Sequence, residues 1–320
     1  MAPNQKPNLK TVSEQSVARQ MELIRQMELV QYVNDHMSNL AYSYKEKGAT
    51  LLRKKSTAIV VCRHGERLDY NMYQSGGNWV PTAETPWDPP LTDQGYVHGN
   101  VLGREAAKAL QEQGLEPVSA VYCSPFKRCR QTAVATVNGL KPKTPIKVRV
   151  ETGLSESWNE PWYRSWGVSG SDGSWDYYPK NEDGTRAKIP IDSVHPQAKI
   201  PIQSMMEDFA NDQSVPGMDQ EYSSIHKIET EYKWGTFETE DEGRIRQKNL
   251  LANLAKRHAG ETIMLIGHGG PNKHLYEELT GNEGSAHGSS TYGCYSIYEQ
   301  SKEGWTPKLI NINTSNSGWG

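Results

Sequence analysis

The sequence predicts an α/β fold with a mostly parallel central sheet flanked by helices. Three observations predict it. Short apolar runs recur at 58–62 (AIVVC), 118–123 (VSAVYC) and 262–266 (TIMLI), and each ends in a polar cluster. A helix-forming stretch follows each run, and strands alternating with helices give a parallel sheet covered on both faces. The 320 residues suffice for one large α/β domain or two small ones.

The elements follow in order. Residues 1–12 are polar, carry two prolines and are expected to be disordered. From Ser13 to about Tyr44 there is no proline or glycine, and the composition predicts a helix. Within it Leu23, Met27, Val30, Asn34, Met37 and Ala41 alternate by four and three, the spacing of a coiled-coil seam. That helix either lies on its own domain or pairs two copies into a homodimer. Residues 1–55 are therefore set apart from a main domain at 56–320.

TAIVVCRHGE reads as a buried parallel strand. Thr92 to about Gln113 reads as a helix capped by Thr92. After the strand VSAVYCSP, Pro125 opens a helix running from Phe126 to about Val137. PIKVRVE is a third strand. Residues 157–224 are rich in Trp, Tyr, Gly, Pro, Ser and Asp, are too long for an ordinary connection, and predict a lid or cap. A helix from Thr239 to about Ala259 precedes the strand ETIMLIGHGG. A further helix, Pro271 to about Leu279, and a fifth strand in TYGCYSIYEQ complete the pattern.

Composition excludes several functions. The net charge of −3 carries no basic excess, so a nucleic-acid partner is not expected. No run approaches 18 apolar residues, so no membrane span is expected. Apolar residues make up only 35%, and the mean hydropathy of −0.75 predicts much solvated loop and surface helix. The N-terminus lacks the apolar segment of a signal peptide. The four cysteines (62, 123, 129, 294) lack the spacing of a zinc site or disulfide framework. Reduced, buried thiols and a cytoplasmic location are the expectation.

Sites in such sheets sit at the carboxyl ends of strands. CRHGER, CSPFKR and GHGG occupy that position, with Glu156 just past the third strand. Together they supply Arg63, His64, Arg67, Arg128, His268 and Glu156. Three arginines and two histidines at one edge repel one another unless an anion lies between them. A phosphate suits them, because guanidinium forks pair with its oxygens. A histidine among arginines has a depressed pKa and an imidazole free to attack phosphorus. A second histidine can donate to the phosphoryl oxygens, and Glu156 can protonate the leaving oxygen. Glu151 and Glu160 compete for that role, and Arg67 can instead be a partner of Asp69 or Glu66. His287, in a Gly/Ser-rich stretch, is read with the remaining histidines as structural or exposed. Nothing in this set calls for a metal or cofactor.

These motifs resemble the histidine phosphatase superfamily, also called phosphoglycerate mutase-like. RHGE after an apolar strand, LTDQG at 91–95, SPFKRCRQTA at 124–133, GLSES at 153–157 and GHGG at 267–270 occur in that family's order. Within it, the motifs are most similar to the T-cell-signalling suppressor and ecdysteroid-phosphate phosphatases. The resemblance implies a three-layer fold and a phosphohistidine on His64. It also implies a phosphate pocket of Arg63, Arg67, Arg128 and His268, a proton donor in Glu156, and no metal. SESWNEPWYRSWG departs from the mutase pattern, and His98-Gly99 stands where the family has Gln-Ala.

The expected activity is metal-independent phosphomonoester hydrolysis. The expected partner is a small phosphorylated substrate or a phosphotyrosine peptide. The aromatics at 158–178 suggest an aryl or hydrophobic ester, or else form the cap's own small core. A mutase-type phosphotransferase and a non-catalytic interaction protein are the alternatives. A cysteine phosphatase is excluded, because Cys123 and Arg128 have only four residues between them and that mechanism needs five.

Overall fold

The structure, a computed structural model, describes residues 25–26, 29–33, 37, 56–175 and 177–314. The chain divides after Lys54 into two units. In the N-terminal unit, Arg25, Gln26, 29–33 and Met37 are helical and exposed. The rest of the expected tail and helix lies outside the described residues, including Leu23, Met27, Asn34 and Ala41 of the expected pairing seam.

In the second unit the elements are β1 (Ala58–Arg63), α1 (Leu68–Gln74), α2 (Asp93–Glu112), β2 (Val118–Cys123) and α3 (Lys127–Leu140). Next come β3 (Val148–Val150), α4 (Glu160–Gly167), α5 (Ile202–Asn211) and α6 (Glu240–Arg257). The chain closes with β4 (Thr262–Gly267), α7 (Gly269–Thr280), β5 (Tyr295–Gln300) and β6 (Trp305–Ile312). The sheet order is β3-β2-β4-β1-β5-β6. The first four strands are mutually parallel, and β5 and β6 add an antiparallel hairpin. No described helix is long and apolar enough to cross a membrane.

Alternation along the strands builds two cores. Ala58, Val60 and Cys62 of β1 and Met264 and Ile266 of β4 face α2 and α3, through Leu102, Ala106, Leu110 and Ala133. Ile59, Val61, Ile263 and Leu265 face α6 and α7, through Leu250, Leu254, Leu275 and Leu279. Successive strand side chains point to opposite faces, so unbroken apolar runs are what a sheet covered on both sides requires. Thr92 caps α2 by accepting from the Gly95 N–H, as its position in the sequence predicts. Thr239 and Glu242 form a reciprocal capping box on α6.

His98-Gly99 proves to be a packing device. A Cβ at 99 would lie 2.8 Å from the Ala135 Cβ, so glycine lets α2 and α3 cross closely.

The segment 157–224 holds two short helices, α4 and α5, among turns. Trp158, Trp162, Tyr163 and Trp166 pack with Trp87, Phe126, Ile202, Met205, Met206 and Phe209 into a third core. Trp158 and Tyr163 are fully buried. The cap's aromatics therefore form its own core, and the sequence argument for an aryl-binding surface does not hold for these four. Arg130 of α3, itself fully buried, ties this region down. It donates to the Asp212 carboxylate at 2.7 Å, and the Asp88 carboxylate lies 3.9 Å away.

Candidate active site

The carboxyl ends of the central strands are level, because Arg63 pairs with Gly267 and Cys123 with both Ile266 and Val150. The ladder continues one residue beyond them. His64 N donates to Gly267 O at 3.0 Å, Ser124 N to Ile266 O at 3.0 Å, and Glu151 N to Cys123 O at 2.8 Å. Chain segments distant in sequence are thus fixed side by side before any side chain is considered.

The loop after β1 is held from two sides. Gly65 N donates to the Thr132 hydroxyl at 3.0 Å, and that hydroxyl donates to the Arg128 carbonyl at 2.7 Å. Gly65 also abuts the backbone of Gly95, and Gly95 abuts that of Glu66. A Cβ on either glycine would collide with main chain.

His64 is buried, and its Nδ1 lies 2.7 Å from the Gly65 carbonyl. That carbonyl can only accept, so the proton sits on Nδ1 and Nε2 keeps its lone pair. Burial lowers the His64 pKa well below the ordinary value, and Arg128 and Arg63 lower it further. The ring is neutral at physiological pH.

His268 stands edge-on to His64, with ring centroids 5.4 Å apart. Its Nε2 lies 2.8 Å from the Ser124 hydroxyl and its Nδ1 3.2 Å from Arg128 Nη2. Arg128 can only donate, so Nδ1 accepts and Nε2–H donates to Ser124. Burial, Arg128 and His64 all depress the His268 pKa.

The arginines surround these rings. Arg128, in the first turn of α3, is buried over the Phe126 ring at 4.5 Å. Arg63 stacks on Tyr292 at 4.4 Å and donates to the Ser290 carbonyl. Arg67 is clamped by Asp69 through two parallel bonds, one of them 2.6 Å. Arg63 Nε and Arg128 Nε are buried with no hydrogen-bond partner among the described residues. Burial and then Arg67 depress the Arg128 pKa. Like charges so arranged favour an anion between them.

Glu156 completes the set. Its Oε1 accepts from Ser157 N at 3.1 Å, and its Oε2 lies 3.6 Å from His268 Nδ1. Burial raises its pKa, and the raise survives opposition from Arg128, Ser157 N–H, Arg63 and Arg67. Its competitors are occupied elsewhere. Glu151 accepts from the Tyr222 hydroxyl, the Ser224 hydroxyl and the backbone N–H groups of Ile225 and His226. Glu160 pairs with Arg164 at the cap surface.

All six candidate residues thus converge. The family model of the histidine phosphatase superfamily (branch 1) matches residues 59–165 and 207–313. The chain belongs to the histidine phosphatase superfamily. The match breaks off between residues 165 and 207, inside the cap.

Among curated proteins the chain is similar to the ecdysteroid-phosphate phosphatase of Drosophila melanogaster. They are 32% identical over 164 residues, which is 43% of this chain and 19% of that protein. It is also similar to mouse ubiquitin-associated and SH3 domain-containing protein B. There the identity is 28% over 176 residues, 48% of this chain and 26% of that protein. The chain thus spans about a fifth to a quarter of these relatives. Among solved structures, the Bombyx mori ecdysone phosphate phosphatase in complex with tungstate is 20% identical. Its TM-score is 0.52, over 82% of this chain and 96% of that one. That likeness confirms the three-layer phosphoglycerate mutase-like fold.

The sequence left four residues of this site unmarked. Ser124 sits inside the CSP motif and was readable there. Asp69 was weighed only as a rival claim on Arg67. Tyr292 precedes β5 in a loop without a distinguishing pattern. Asn272 bridges β1 and β4. With its amide oriented by its neighbours, it donates to the His268 carbonyl at 3.0 Å and accepts from Arg63 N–H at 3.3 Å. His287 lies nearby but serves structure, packed against the Tyr276 ring and facing the Ser290 and Ser296 hydroxyls. All four cysteines are free and buried. Burial pushes the Cys129 thiol up to about 12, which leaves it no nucleophilic role beside His268.

Proposed function

We propose that this chain is a phosphomonoesterase that works through a phosphohistidine on His64. One observation carries the reading. His64 is neutral, holds its proton on Nδ1, and has Nε2 free among three arginines drawn from different segments. An imidazole held this way is a nucleophile in want of an electrophilic anion.

In the first step His64 Nε2 forms a bond to phosphorus while the ester P–O bond breaks. Glu156, whose pKa burial raises, gives its proton to the departing oxygen. In the second step a water oxygen bonds to phosphorus, the N–P bond breaks, and Glu156 takes the water's proton. Arg63, Arg67 and Arg128 neutralise the phosphoryl oxygens throughout. Arg128 then exchanges its contact with His268 Nδ1 for the phosphate. These cations all belong to the chain, so turnover is expected to persist in EDTA.

The relatives named for ecdysteroid phosphate point to a hydrophobic alcohol as the leaving group. A small hydrophobic phosphate ester is accordingly the proposed substrate class. The test is hydrolysis of para-nitrophenyl phosphate from pH 4 to 9, with and without EDTA, by wild type and His64→Ala. We expect EDTA-resistant turnover that falls at least about 10⁴-fold in the variant. Retained activity in folded His64→Ala sinks the reading.

A further inference from the structure

The loop that carries Glu156 has little regular structure of its own, since residues 155–158 belong to no helix or strand. An acid that must reach a leaving oxygen within hydrogen-bond distance needs a fixed backbone beneath it. In this protein that support comes from α6.

Arg246 of α6 is buried and extends its guanidinium under the loop. Its Nη1 donates to the carbonyls of Gly153 at 2.9 Å and Ser155 at 3.0 Å, and its Nη2 to the carbonyl of Glu156 at 3.3 Å. The Nε and Nη2 groups also donate to the two oxygens of Glu238, both at 2.7 Å. All five N–H groups of the fork thus meet an acceptor. Glu238 in turn accepts from Trp158 N at 3.1 Å, and Glu238 N donates to the Trp158 carbonyl at 2.9 Å. The Arg246 guanidinium lies over the Trp158 ring at 4.3 Å. The loop is therefore gripped at Gly153, Ser155, Glu156 and Trp158, on both sides of the acid. Arg246 and Glu238 are 4% and 2% exposed, so this is an inward-facing clamp and not a surface ion pair.

We propose that Arg246 and Glu238 are positioning residues for the proton donor, holding the main chain of residues 153–158 so that the Glu156 carboxyl faces the leaving oxygen. The inference rests on the reading of Glu156 as the acid. Neither residue contacts the phosphate arginines in the bonds above, so the pair tunes proton delivery and leaves phosphate capture to other groups. A lysine cannot replace Arg246, because one ammonium has three donors and no planar fork.

The distinguishing readout is leaving-group dependence. An alkyl phosphate needs its departing oxygen protonated, whereas nitrophenolate departs with little help. We would measure kcat/KM for glycerol phosphate and for para-nitrophenyl phosphate, with inhibition by vanadate, in the full chain. The variants are Glu156→Gln, Arg246→Met, Arg246→Lys and Glu238→Gln. Glu156→Gln should lower the alkyl ester about 10²-fold more than the aryl ester. Arg246→Met should move the same ratio in the same direction by about tenfold, with vanadate inhibition unchanged within about twofold.

If Arg246→Met fails to fold, Arg246→Lys and Glu238→Gln carry the test, with the same direction expected. An equal fall on both esters in the folded variants, or no fall, overturns the clamp while leaving the proposed function standing. If Glu156→Gln leaves the ratio untouched, the acid assignment falls and the clamp with it. A wild type that cleaves neither ester overturns the proposed function itself.

Discussion

The phosphate edge of the sheet and the cap at 157–224 both concentrate one kind of side chain, and the structure treats the two concentrations in opposite ways. At the edge, arginines from β1, the loop after it and α3 gather around two buried histidines. The cations repel one another, and Arg63 Nε and Arg128 Nε are left without partners among the described residues. In the cap, Trp158, Trp162, Tyr163 and Trp166 gather just as densely but pack on other aromatic rings, with Trp158 against Tyr232 and the other three against one another and Phe126. Trp162 alone meets Phe126, Tyr163 and Trp166 at 4.9 to 5.7 Å. Aromatic rings satisfy each other, and like charges do not. A dense aromatic segment is therefore weak evidence of a binding surface, whereas convergent buried cations are strong evidence of one.

The comparison can be sharpened by experiment. The largest effect is expected at the edge, where Arg128→Ala should lower kcat/KM about 10³-fold and weaken vanadate inhibition, with little change in unfolding temperature. Next comes the cap. Trp162→Ala should cost about 3 kcal/mol of stability by thermal unfolding. It should leave the ratio of aryl to alkyl ester hydrolysis unchanged at a temperature where the variant is folded. A shift of that ratio without loss of stability would return Trp162 to the substrate surface and break the comparison.

The smallest effect lies at the junction of the two regions, where Arg130 faces two carboxylates of opposite behaviour. Burial pushes Asp88 up to about 6, against the pull of Arg130. At Asp212 burial also pushes upward, but the Ser214 hydroxyl and Arg130 outweigh it and hold that carboxyl well below the usual range. The signs then differ. The folded pKa of Asp88 lies above the unfolded value near 4, so its contribution is present below about pH 4 and lost as the pH rises through about 6. For Asp212 the contribution is present above about pH 4 and lost as the pH falls further. Asp88→Asn should thus raise stability at pH 7.5 by on the order of 1 kcal/mol. Asp212→Asn should lower it at the same pH, and both differences should shrink towards pH 3. Unfolding curves from pH 3 to 8 decide between this and a common sign.

Much of this was legible before the structure. The strands β1, β2 and β4 announce themselves because sheets buried on both faces need unbroken apolar runs, and Thr92 and Thr239 mark where helices start. The six candidate residues, which the structure brings together, were legible because polar clusters at strand ends leave short signatures. What was hidden had no periodic signal to read. α1 buries only Asp69, so it shows no apolar stripe. β6 is an edge strand containing Pro307, with half-exposed positions throughout. α7 begins at Gly269 and not at Pro271, because two glycines read as a turn. A Cβ at Gly269 would lie 3.6 Å from Arg63 Nε. α4 and α5 are too short for periodicity to separate them from the turns around them. The clamp of Arg246 and Glu238 was invisible because a buried ion pair between a polar helix and the residue ahead of its cap looks, in sequence, like any exposed one.

The close packing around Gly65 and Gly95 bears on how this fold can be redesigned. The Gly95 backbone fills the space a side chain on Gly65 would need, the Glu66 backbone fills the space one on Gly95 would need, and neither can shrink to compensate for growth nearby. A library that diversifies the stretch between β1 and α2 should therefore hold both positions constant and spend its variation on residues such as Leu68, Tyr70 and Asn78, which are only half buried. Variants that break this rule are expected to disappear from a selection as misfolded chains, and their loss would say nothing about the function under selection.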